Sequence, residues 1–282
     1  MPEPPDVPDP ADLPDLPGLL ELAIGLARDA GALLLEGRES LRSDVATKTS
    51  TTDMVTDMDR ASEALIVDGL AEARPDDGIV AEEGSASVGT SGVVWVIDPL
   101  DGTTNYLYGH PTFAVSIAAR AGGRTLVGVV AVPAQDELYA GTAGGGATAG
   151  SSARDAPRPA ERLTASRATD LGTSLVATGF SYVAEKRAVQ GQVVARVLPK
   201  VRDVRRVGAA AVDLCWVACG RVDAYYESGL QPWDLAAGAL IAAEAGATVE
   251  GWDGPLPESG SVVAGASALI DPLRHLIGPP PD

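Results

Sequence analysis

Apolar residues recur at helical spacing through Leu19, Leu20, Leu22, Ala23, Leu26, Ala27, Ala30, Leu33 and Leu34, which predicts an amphipathic helix from about Leu16 to Leu41. A polar stretch follows from Lys48 to Asp59, carrying Asp53, Asp57 and Asp59. It leads into a second helix that Pro75 bounds and whose Ala61, Ala64, Leu65 and Leu70 are expected to face inward. The period then changes. Gly78 to Ala81 reads as a short strand ending at Glu82-Glu83-Gly84, and Ser85 to Gly92 as a loop. Val93 to Ile97 is apolar and mostly β-branched, the pattern of a fully buried strand, and Asp98-Pro99 is expected to stop it because proline cannot donate to a sheet ladder.

Phe113 to Arg120 and Thr125 to Val132 predict a hairpin through Gly122-Gly123, with a third strand around Glu137 to Ala140 before a turn at Gly144-Gly145-Gly146. Farther on, strands are predicted at Ser174 to Thr178, Val201 to Val207 and Val222 to Tyr226. Between and after them lie helices at Val183 to Leu198, at Ala209 to Cys219 ended by Gly220, and at Asp234 to Ala245 ended by Gly246. This alternation indicates α/β construction. Three segments are expected: a disordered Pro- and Asp-rich arm over residues 1–15, an N-terminal α+β subdomain over 16–150 and a C-terminal α/β subdomain over 151–278. The Gly-, Ser-, Ala- and Pro-rich stretch from Ala147 to Ala160 marks the boundary.

Composition narrows the function classes. A net charge of −18 and 4% aromatic residues argue against a nucleic-acid surface. No apolar run approaches the roughly 18 residues of a membrane span, and the N-terminus lacks the basic start and apolar core of a signal peptide. Cys215 and Cys219, four apart in an apolar run, read as buried thiols in a reducing cytoplasm. With His110 and His275 as its only histidines, the chain is a poor match for a histidine-rich zinc site or a Ser-His-Asp triad. Catalysis is left to carboxylates.

Those carboxylates fall at the ends of predicted elements. Asp98 and Asp101 stand three apart and are followed by Gly102-Thr103-Thr104, residue types that suit a turn into a helix N-terminus. Two readings fit this run taken alone: acids that cap backbone donors, or acids that converge on a hard cation beside N–H groups facing an anion. Glu82 and Asp234 are acids at two further ends. Several carboxylates converging need cations, and all-oxygen ligation favours Mg²⁺, so metal-assisted phosphoryl transfer to water is the combined reading.

Trp95-Val96-Ile97-Asp98-Pro99-Leu100-Asp101-Gly102-Thr103-Thr104-Asn105-Tyr106, Trp233-Asp234-Leu235-Ala236-Ala237-Gly238, Ala81-Glu82-Glu83-Gly84 and Asp53-x-Val55-Thr56-x-x-Asp59 together resemble the inositol monophosphatase family of Mg²⁺-dependent, lithium-sensitive sugar phosphatases, over about residues 18–276. The resemblance implies a layered αβαβα sandwich, a homodimer and two to three Mg²⁺ per site. It implies a first metal on Glu82, Asp98 and the Leu100 carbonyl, and a second on Asp98, Asp101 and Asp234. It also implies phosphate held by the Gly102 and Thr103 N–H groups, water activated by Asp59 and the Thr103 hydroxyl, and substrate contacts at Glu227 and the Ala210 backbone. Myo-inositol 1-phosphate is the expected phosphomonoester. The alternatives are histidinol phosphate, fructose 1,6-bisphosphate or 3′-phosphoadenosine 5′-phosphate, or a regulatory binding protein that keeps the fold.

Overall fold

The computed structural model describes residues 15–43, 51–153 and 158–279. The arm expected over residues 1–15 lies outside the described residues except for Asp15, whose carboxylate accepts the Gly18 N–H at 3.1 Å at the start of α1 (Leu16–Ser43). α1 and α2 (Thr51–Ala73) pack on each other and on one face of the first sheet. α2 starts earlier than the polar stretch suggests, so Asp57 and Asp59 are helical. Its buried face is Asp59, Ser62, Glu63, Ile66 and Leu70, while Ala61 and Ala64 are exposed. Leu70 is buried and Leu65 packs half-buried on the core as expected, but Ala61 and Ala64 turn outward because buried partners hold the polar Ser62 and Glu63 inside. The Ser62 hydroxyl donates to the Pro99 carbonyl at 2.9 Å, and the Glu63 carboxylate accepts the Glu83 and Ser85 N–H groups at 2.9 and 3.0 Å.

The first sheet contains β1 (Gly78–Ala81), β2 (Ala86–Ser87), β3 (Val93–Asp101), β4 (Ala114–Ala121), β5 (Arg124–Val132), β6 (Glu137–Thr142), β7 (Gly146–Gly150) and β8 (Glu161–Arg162), in the order β2-β1-β3-β4-β5-β6-β7-β8. β1 and β3 are parallel and the other pairs antiparallel. β4 is buried on both faces: Val115, Ile117 and Ala119 meet α1 and α2, while Ala114 and Ala118 meet the opposite layer. Gly122 and Gly123 both have positive φ, 56° and 73°, as a tight hairpin turn requires.

The second sheet runs β10 (Asp203–Arg205), β9 (Leu175–Thr178), β11 (Ala224–Leu230), β13 (Gly260–Gly265), β12 (Thr248–Glu250). Between the sheets lie α5 (Ala210–Ala218) and α6 (Pro232–Glu244), and the outer face carries α4 (Ala184–Val197) and α7 (Ser267–Ile277). The result is the expected αβαβα sandwich. α6 lies so close on β5 that a Cβ at Gly128 would stand 2.9 Å from the Ala237 Cα.

Several strands differ from the sequence reading. β3 does not stop at Asp98 but runs through Pro99 to Asp101, because its pairing with β4 shifts register between Asp98 and Asp101 and a bulge tolerates a residue without an N–H. The segment read as the Ser85–Gly92 loop contains β2, and β10 is shorter than expected because it is an edge strand paired only with β9 among the described residues. β11 extends past Tyr226 to Leu230, which places Glu227 inside the strand. β7, β8, β12, β13 and α7 were not read from the sequence: the strands are short, β7 falls in the stretch read as a turn and a boundary, and Pro272 lies within the helix.

Candidate active site

The parallel register of β1 on β3 pairs Ala81 with Ile97, so the next residue on each strand is an acid, Glu82 beside Asp98. The Glu82 N–H donates to the Ile97 carbonyl at 3.2 Å, and the Glu82 side chain hydrogen-bonds Asp98. The bulge that follows turns the backbone so that the Asp98 carboxylate accepts the Leu100 N–H at 3.0 Å and the Thr103 hydroxyl donates to the Leu100 carbonyl at 3.1 Å. Gly102, at φ 86°, caps the short helix α3 (Thr103–Leu107). A side chain there would also meet the Thr112 carbonyl at 3.1 Å and the Ala209 Cβ at 3.2 Å, so both backbone conformation and space require glycine.

The middle helices bring the remaining acids to this turn. The Ala211 N–H, at the start of α5, donates to Asp101 at 2.8 Å. The Ser116 hydroxyl on β4, opposite Asp98 in the ladder, donates to the Trp233 carbonyl at 3.2 Å and ties down the first turn of α6. Asp234 is the third residue of that helix rather than its first, and accepts the Gln231 N–H at 2.7 Å in a reciprocal capping box. Across the cleft, the Tyr225 hydroxyl donates to Glu227 at 2.6 Å.

Glu82, Asp98, Leu100, Asp101, Gly102, Thr103, Ala210, Glu227 and Asp234 all line one cleft of about 260 Å³. Asp59 is not among the lining residues. It is buried beside the cleft, with one carboxylate oxygen that has no hydrogen-bond partner among the described residues. Asp57, two residues earlier, is exposed. The Asp53 side chain lies outside the described residues.

The charges oppose one another. Burial, then the neighbouring Asp101, Glu82 and Asp234, pushes the Asp98 carboxyl well above its ordinary range, and burial followed by Asp234 does the same to Asp101. Loss of solvent raises Glu82 against its hydrogen bond to Asp98, and burial raises Asp234 against its bond to Gln231. Burial, with Glu83, Glu82 and Glu63 adding to it, lifts Asp59 to about 8, and burial lifts Glu227 to about 7. Arg206 is the one cationic residue among the described lining residues. Among the described residues no three acids yet converge as a metal site. An orphaned oxygen on Asp59 and four mutually repelling carboxyls in one cleft nonetheless form a donor set suited to hard divalent cations.

A stability trend follows from these shifts. Asp59 ionises near 3.8 when unfolded and near 8 when folded, so the folded state retains a proton that the unfolded chain releases over that interval. The stabilisation is complete below the lower value and disappears as pH rises through the upper one. Metal-free protein is therefore expected to melt roughly 5–10 °C lower at pH 8 than at pH 5.5. Asp59→Asn should make the slope shallower without abolishing it, because burial also raises Glu227 and the cleft carboxyls, and calorimetry showing Tm rising over this interval would contradict the assignment.

Four residues at or beside the cleft were not singled out by sequence reasoning. Glu63 supports the Glu82 turn and could have been found as the residue one helical turn after Asp59. Asp213, an acid inside the apolar run of α5, is buried with neither oxygen hydrogen-bonded to any described residue. Arg206 and Tyr182 line the cleft and carry no sequence signal that separates them from surface residues.

The inositol monophosphatase family model matches residues 15–276. An inositol-1-monophosphatase of Mycobacterium leprae is 44% identical over 236 residues, 81% of this chain and 79% of the relative. The Nus factor SuhB of Escherichia coli is 41% identical over 256 residues, 89% and 92% of the two chains. The solved structure of Mycobacterium tuberculosis SuhB superimposes with a TM-score of 0.79 at 42% identity, covering 93% of this chain and 96% of that one. With its αβαβα layers and its acids gathered at one bulged strand end, this chain belongs to the inositol monophosphatase family.

Proposed function

We propose that this chain is a Mg²⁺-dependent phosphomonoesterase that releases phosphate from myo-inositol 1-phosphate. One observation carries the reading: Glu82, Asp98, Asp101 and Asp234 share a single cleft with the glycine-capped turn at Gly102-Thr103 and with Glu227. Glu82, Asp98 and the Leu100 carbonyl would hold one Mg²⁺, and Asp98, Asp101 and Asp234 a second, with Asp98 as the bridge; a third near Glu82 completes the proposal. When bound there, the cations supply acidification of a water and stabilisation of the charge on the leaving oxygen.

The chain's own residues supply the rest. The Gly102 and Thr103 N–H groups hold the phosphate oxygens. The Thr103 hydroxyl, already donating to the Leu100 carbonyl, has its lone pairs free to orient the attacking water, and Asp59 takes the water's proton. Attack is in line, with no phosphoenzyme. Glu227, oriented by Tyr225, accepts hydroxyls of the leaving alcohol, and the Ala210 backbone gives a further contact. A homodimer, lithium inhibition and a cytoplasmic location belong to the same proposal. Both cysteines are free and, among the described residues, no helix is long and apolar enough to cross a membrane.

The test is phosphate release with Mg²⁺ from inositol 1-phosphate, histidinol phosphate, fructose 1,6-bisphosphate and 3′-phosphoadenosine 5′-phosphate in parallel, with Asp101→Asn as control. Preference for inositol 1-phosphate, lost in the variant, is expected. Preference for another compound would replace the substrate and the role of Glu227. The relative named a Nus factor favours a second reading, a regulatory binding protein on this fold, and absence of turnover on every compound would put it first.

A further inference from the structure

The loop from β9 into α4 crosses the mouth of the cleft. It begins at Gly179, where a Cβ would stand 1.8 Å from a Glu227 carboxylate oxygen, so the loop backbone runs directly over the residue assigned to the leaving alcohol. Three residues on, the Tyr182 hydroxyl hydrogen-bonds the Thr104 hydroxyl at 3.1 Å, on the first turn of α3 beside the assigned phosphate turn. The loop therefore spans both ends of the cleft, and Phe180, Ser181 and Tyr182 all line it.

It is held from behind. Gln190 of α4 accepts the Ser181 N–H at 2.8 Å and donates to the Ser228 hydroxyl of β11 at 3.2 Å. Arg187 donates to the Ser181 and Tyr182 carbonyls at 3.0 and 2.8 Å. The backbone is thus fixed while Tyr182 itself remains 74% exposed. A large ring pinned by its hydroxyl over a cleft, with most of its area still in water, offers a ready packing wall to whatever enters.

We propose that Tyr182 is a specificity-determining residue: latched to Thr104, its ring forms the outer wall of the leaving-group space and restricts the alcohol to a compact ring such as a cyclitol. This rests on the phosphomonoesterase reading of the cleft. The test compares kcat/KM for inositol 1-phosphate and for adenosine 2′-phosphate in the wild type, Tyr182→Ala and Tyr182→Phe, with melting curves to confirm folding. The ratio favouring inositol 1-phosphate is expected to fall about 10-fold in Tyr182→Ala, chiefly through KM. In Tyr182→Phe, which keeps the ring and loses the latch, it should fall about 3-fold. Equal change on both substrates, or a Phe variant matching wild type, would overturn the assignment while leaving the phosphatase intact. A wild type that turns over neither compound would remove the underlying reading, and this assignment with it.

Discussion

Asp98→Asn is expected to lower kcat for inositol 1-phosphate by at least about 10³-fold, the equivalent of roughly 4 kcal/mol of transition-state stabilisation. Asp98 is the one side chain proposed to bridge both cations, so its loss weakens both at once. The fold should survive. Asn keeps an oxygen to accept the Leu100 N–H, and it removes a carboxyl that burial and four acidic neighbours already disfavour. Metal-free Asp98→Asn should melt at or above the wild-type temperature at pH 8, while the stabilisation that Mg²⁺ gives the wild type should largely disappear. A variant that melts lower and retains turnover would show that Asp98 serves the β3 bulge rather than a cation.

Asp59→Asn is expected to cost about 10²–10⁴-fold in kcat, the usual range for a lost general base, with little change in KM. Asp57→Asn should stay within about twofold of wild type, as surface substitutions away from packed groups do. The two residues are separated by a single position but differ sharply in environment. Asp57 is exposed, while Asp59 is buried with an oxygen that nothing in the described residues satisfies. Steady-state kinetics on the pair decides the register of α2. Near-complete loss in Asp57→Asn with activity retained in Asp59→Asn would show that the general base has been misassigned.

Much of this was legible in the sequence, because the signals are local. The leucine and alanine period gives α1, and paired glycines between β-branched runs give the β4–β5 hairpin. Acids placed where apolar runs stop give Glu82, Asp98, Asp101 and Asp234. What escaped depends on non-local pairing. Ser62 and Glu63 face inward because Pro99, Glu83 and Ser85 meet them there, and hydrophobicity alone turns them outward. The passage of β3 through Pro99 depends on a register shift against β4, and the place of Glu227 within β11 depends on its pairing with Val262 of β13, a strand that short-range patterning did not show. Tyr182 likewise gains its position only from a contact 78 residues away in the chain.

The most direct measurement is phosphate release from inositol 1-phosphate by protein freed of divalent ions with EDTA and then titrated with MgCl₂. Release should be absent before the titration, rise saturably with Mg²⁺ and fall again when chelator is restored. Undiminished release in excess EDTA would contradict the claim that the acids at the end of β3 work by holding cations.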